Sequence, residues 1–154
     1  MVDARIEQIA DGLFTSLRTE LRLPESIAVR ARRETAVIVR DLAGRPSYWL
    51  VPIVSDDRLV GFLRLSLDGR LHAWGRFGQG KALEKFPPLS VLSRDDAERA
   101  IRRAFETQYA DIDMPELVHD GPVDRIAWRS SAVAVDGTKA FLFWSFGETY
   151  SRPA

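Results

Sequence analysis

Residues 75–82, Gly75-Arg76-Phe77-Gly78-Gln79-Gly80-Lys81-Ala82, carry the chain's nearest approach to a chemical motif. They fit the first seven positions of a phosphate-binding loop, in which backbone amides cradle phosphates and the lysine reaches the terminal phosphate. The eighth position should be Ser or Thr to hold magnesium. It is Ala82, and Pro87 would cut short the helix that should follow. Nucleotide hydrolysis is therefore disfavoured. A flexible connector is the first reading, and a basic Gly-rich loop for a phosphate anion the second. Asp111, Asp113, Glu116, His119 and Asp120 gather hard ligands within ten residues. They lack the glycine and the twelfth-position glutamate of a calcium loop, so a solvated acidic segment is preferred to a metal site.

A third group lies on an expected hairpin. Phe62, Arg64, His72, Trp74 and Arg76 are read as one aromatic-basic face. Arg stacked on Trp and Phe explains such a face by packing alone. Trp, Phe and Arg are also the residues that anchor contacts between proteins, so these five are the candidate binding residues. His72 has no orienting partner in the sequence that would make it a general base. No serine sits in a nucleophile elbow. No catalytic residue, metal ligand or cofactor is assigned.

The hairpin's register is fixed by pattern. In Ser66-Leu67-Asp68-Gly69-Arg70, a three-residue loop with left-handed Gly69 pairs Leu65 with Leu71 and Leu63 with Ala73. It puts Gly61, Leu63, Leu65, Leu71, Ala73 and Gly75 on one side and the candidate residues on the other. Val135-Asp136-Gly137 repeats the turn. There it pairs Trp128 with Trp144, Ile126 with Phe146 and Ala132 with Ala140, an aromatic cross-strand face.

Two helices should support these strands. The first is expected over about residues 3–22, with Asp3 as N-cap and a stripe of Ile6, Ile9, Ala10, Leu13, Phe14, Leu17 and Leu21. The second is expected over 93–109, where Ser93 and Asp96 resemble a capping box. Ile27–Val29, Thr35–Asp41, Tyr48–Val54, Leu59–Leu67 and Glu116–His119 read as strands. Pro52, with no ladder donor, should sit at a bulge or an edge. The expected fold is α+β: an antiparallel sheet of five to seven strands packed against two main helices, in a single domain of residues 1–154. A pseudo-repeat of halves 1–80 and 90–150 fits the same outline.

Tyr48-Trp49-Leu50-Val51-Pro52-Ile53-Val54, a short turn, Leu59-Val60-Gly61-Phe62-Leu63-Arg64-Leu65 and then Leu67-Asp68-Gly69-Arg70-Leu71 resemble the strand meander of PepSY-type domains. These belong to the broader cystatin-like helix-on-sheet group. The resemblance covers about half the chain, with the first helix ahead of the meander. It implies a non-catalytic module that binds or restrains a protein, often a peptidase.

Composition narrows the rest. The 154 residues include no cysteine, which excludes disulfides, thiol nucleophiles and Cys-ligated metals. Two histidines exclude a three-His site. No apolar run spans a bilayer, and residues 1–5 show no signal-peptide pattern, so no membrane partner and a cytoplasmic location are expected. Acidic and basic residues balance at 22 each, which disfavours nucleic acid. Residues 58–103 nevertheless hold ten basic and five acidic side chains, and 104–124 six acidic and no basic ones. Complementary surfaces within one fold explain this; contact between copies is the alternative. The expected function is a non-catalytic protein- or ligand-binding regulatory module, with a protein partner or self-association. A small-molecule or enzymatic domain with a pocket between sheet and helices is the alternative.

Overall fold

A computed structural model describes residues 2–154. The described residues divide into two compact units, one of residues 2–39 and 46–89, the other of residues 40–45 and 90–154.

In the first unit, α1 (Ala4–Leu17) starts where Asp3 accepts hydrogen bonds from the Arg5 and Ile6 amides, at 3.0 and 3.2 Å. It ends earlier than the apolar stripe suggests. A 3-10 turn at Thr19–Leu21 tightens the chain, and Arg22 at φ 51° closes it ahead of Pro24. The expected strand at Ile27–Val29 is instead α2 (Glu25–Ala28) and its cap. Pro24 starts this helical turn, its carbonyl accepting from the Ala28 amide at 2.8 Å. The strands are β1 (Ala31–Arg33), β2 (Val37–Arg40), β3 (Pro46–Ser55), β4 (Arg58–Leu65) and β5 (Leu71–Arg76). β3 pairs antiparallel with β1 and β4, and β4 with β5. Pro52 stays in the β3–β4 ladder opposite Phe62, one residue ahead of a register shift at Ile53/Val54. Ile6, Ala10, Leu21, Trp49, Val51, Ile53, Leu63, Leu65 and Phe86 form the core of this unit.

In the second unit, α3 (Arg94–Phe105) begins at Ser93, whose hydroxyl accepts from the Asp96 amide at 3.3 Å. It packs Ile101 and Phe105 on Ile112, Ala132, Ala140 and Leu142. The strands are β6 (Asp111–Ile112), β7 (Glu116–His119), β8 (Ile126–Val133), β9 (Lys139–Ser145) and β10 (Glu148–Pro153). β8 pairs antiparallel with β6, β7 and β9, and β9 with β10. Trp128 faces Trp144 and Ala132 faces Ala140, as the turn pattern predicts. Phe146 leaves the ladder at φ 48°, in the turn between β9 and β10.

The expected antiparallel sheet of five to seven strands is overturned. Among the described residues there are ten strands, and their pairing is mixed: Arg40 pairs parallel with Val118 within the second unit. Three α-helices accompany them, one of a single turn. β1, β6 and β10 escape the sequence reading because two are very short, and β10 (Glu-Thr-Tyr-Ser-Arg-Pro) has no apolar alternation. Among the described residues, no helix is long and apolar enough to cross a membrane.

Candidate functional site

The β4–β5 hairpin closes as expected at its turn. The Ser66 amide bonds to the Arg70 carbonyl at 2.8 Å, Gly69 is at φ 93°, and Leu65 faces Leu71. One residue further the register shifts. Arg64 faces Ala73, Leu63 faces Trp74 and Gly61 faces Arg76, which corrects the expected Leu63–Ala73 pair. His72 is the extra, unpaired residue of a bulge, and a bulge re-aims the side chains beyond it.

Directly opposed residues share a face. The five candidate residues therefore do not form one surface. Phe62 and Arg64 lie on one face of the hairpin, the Phe62 ring edge-on to Phe77 at 5.4 Å and the Arg64 guanidinium 5.6 Å from the Tyr48 ring. Trp74 and Arg76 lie on the opposite face, with Leu63 and Gly61, while His72 is exposed at the bulge. Arg76 is a clamp. It donates to the Gly80 carbonyl at 2.5 Å and the Arg22 carbonyl at 3.3 Å, and its guanidinium lies 5.6 Å from the Phe86 ring. Trp74 remains 39% exposed, and its indole N–H has no hydrogen-bond partner among the described residues.

The loop after Arg76 lacks phosphate-loop geometry. An antiparallel strand precedes it, and a 3-10 turn at Leu83–Lys85 follows in place of a helix. The acidic segment is also dispersed. Asp111 lies on β6, Glu116 faces Arg129, and His119 Nδ1 is 3.0 Å from the Gly121 carbonyl. Among the described residues, no three His, Asp or Glu side chains gather as metal ligands.

Asp120 is used differently. It is buried, and Arg152 grips both its oxygens while the Tyr150 hydroxyl donates to Oδ2 at 2.6 Å. Tyr150 stacks on Phe143 at 4.7 Å, and the Arg152 guanidinium lies 5.3 Å from the Phe143 ring. Burial pushes the Asp120 carboxyl up, but the Tyr150 hydroxyl and the Arg152 cation outweigh it, leaving the group below the usual carboxylate range. Burial, followed by the Asp120 carboxylate, pushes the Tyr150 phenol up to about 12. Sequence reading missed this cluster because its members lie 30 and 32 residues apart. The one available signal was the two-residue spacing of Tyr150 and Arg152, which puts both on one face of a strand. The cluster can pin β10 to the end of β7; its carboxylate is fully engaged by its two partners.

A comparable network joins α1 to β1. Arg33 donates to Glu7 at 2.7 Å and to Asp11 at 2.5 Å, and the second Glu7 oxygen accepts the Ala36 amide at 3.0 Å. Comparison of the chain with protein-family models, curated proteins and solved structures gives no match, and so adds nothing to the resemblance drawn from the strand meander.

Proposed function

We propose that the chain is a non-catalytic binding module that contacts a protein partner through the outer hairpin of its first unit, with Trp74 as the anchor. The exposure of Trp74 carries this reading: a large aromatic side chain that stands 39% exposed on the last strand of the hairpin. An indole offers apolar area and one donor together, which is why Trp is enriched at contact hot spots. β5 supports it as the last strand of the sheet, paired on one side with β4. Arg64 and Phe62, on the opposite face, fall outside this contact. Arg76 acts by holding the neighbouring loop.

Affinity purification of wild-type and Trp74→Ala protein from the native host tests the reading. A stoichiometric partner should be recovered with the wild type and reduced tenfold or more with Trp74→Ala, with the variant still folded by circular dichroism. Equal recovery with both proteins would remove this surface from consideration.

A further inference from the structure

A groove of about 440 Å³ opens in the first unit, away from the residues of the hairpin contact. Ser26 and Ile27 of α2, with Val29 and Arg30, form one wall; Lys81, Ala82 and Leu83 form the other; Ser55 and Asp56 also line it. Its walls are fixed. The buried Ser55 hydroxyl donates to the Ile27 carbonyl at 3.0 Å, tying α2 to the end of β3. On the other wall Arg76 holds the Gly80 carbonyl, and a Cβ on Gly80 would lie 2.8 Å from the Lys85 Cβ. The Gly-rich loop therefore presents Lys81 from a pinned backbone.

The charges are only partly satisfied. Lys81 has no ion-pair or hydrogen-bond partner among the described residues. Arg30 meets Asp56 at 3.4 Å, both side chains well exposed, a geometry that contributes little. Val29, 70% exposed, and Leu83 supply apolar surface beside these cations. Two cations and one carboxylate leave the groove with one net positive charge. That balance suits a singly charged head better than a doubly charged phosphate, whose second charge would face Asp56 uncompensated.

We infer that this groove binds a small organic monocarboxylate, its carboxylate held by Lys81 and Arg30 and its hydrocarbon body on Val29 and Leu83. The probes are sodium phenylacetate, sodium acetate and the uncharged phenylacetamide, each titrated at constant ionic strength into the ¹⁵N-labelled protein. Phenylacetate should shift the amides of residues 26–30 and 81–83 with a millimolar Kd. Acetate and phenylacetamide should each bind at least tenfold more weakly. Lys81→Glu should abolish the phenylacetate shifts while the rest of the spectrum stays as in the wild type. Asp56→Asn should tighten phenylacetate binding severalfold; asparagine tolerates the φ of 53° at this position. The inference is overturned if phenylacetate shifts none of these amides, if phenylacetamide binds as well, or if Asp56→Asn leaves the Kd unchanged.

Discussion

Asp120 shows how one side chain can tie stability to pH. Its carboxyl titrates below the usual carboxylate range in the folded chain, because Tyr150 and Arg152 outweigh the effect of burial. The folded state therefore binds this proton less readily than the unfolded state. The stabilisation is present above the ordinary carboxylate pKa and is lost as pH falls through the lowered value. Asp120→Asn should remove about 2 kcal/mol at neutral pH, by loss of the charge-assisted bonds, and should flatten the acid limb of the stability curve. Urea denaturation between pH 7 and pH 2 checks both. Tyr150 has the opposite sign. Its phenol is raised to about 12, so its contribution is complete below the ordinary tyrosine range and lost as pH rises through about 12. Absorbance titration at 295 nm should show a late-ionising phenol contribution that is lost in Tyr150→Phe. Arg33 is the corresponding residue of the first unit, with only 15% of its side chain exposed between Glu7 and Asp11. Arg33→Ala leaves the partly buried Glu7 carboxylate without its cation and should destabilise by about 2–3 kcal/mol.

At the scale of elements, two glycines shape the outer hairpin in different ways. Gly69 holds φ 93° in the turn, where any side chain is strained, and a Cβ there would come within 2.5 Å of the tip of Ile9. Gly69→Ala should destabilise by about 1–2 kcal/mol, since the end of the Ile9 side chain can move but the dihedral cannot. Gly61 has ordinary dihedrals but no room: its Cβ would lie 2.9 Å from the Gly75 carbonyl oxygen, which is backbone. Gly61→Ala must push β4 from β5 and should cost about 2–3 kcal/mol, the larger effect of the two. Thermal denaturation of the two variants gives the order directly. The bulge at His72 has a different consequence. By inserting one residue it places Trp74 on the face of Leu63, away from Phe62 and Arg64. A one-residue shift of this kind moves a side chain across the sheet, so the bulge decides which aromatic group can anchor a partner.

For the whole molecule, the expected outcome is a surface lesion without a folding lesion. Lys81→Glu alters an exposed group and should leave the melting temperature within about 2 °C of the wild type, while Trp74→Ala, at a side chain 39% exposed, should lower it by several degrees without unfolding the protein. Each should remove one binding property and leave the other intact, since Trp74 anchors the hairpin contact and Lys81 the carboxylate. Loss of both properties in either variant would mean that the two sites act together. Differential scanning calorimetry combined with the two binding assays separates these outcomes.

The linear sequence determined the features that depend on neighbours along the chain. Asp3 and Ser93 cap their helices because a short polar side chain can reach amides two or three residues ahead. The Asp-Gly turns close with three-residue loops because only glycine enters the left-handed region cheaply, and the Trp128–Trp144 register follows from that loop. The amphipathic stripes of α1 and α3 likewise point to buried faces. Tertiary structure decided what depends on residues far apart. The parallel contact of Arg40 with Val118 has no local signature, because parallel strands are joined by long connections. β10 has no apolar alternation and becomes a strand because β9 offers it an edge on which Tyr150 can stack against Phe143. Asp120 reads as one more solvated acid until Tyr150 and Arg152 reach it. The candidate binding face was legible in its residue types but not in its geometry. The bulge that divides it is one extra residue, placed by how β5 packs and not by any turn or breaker in the sequence.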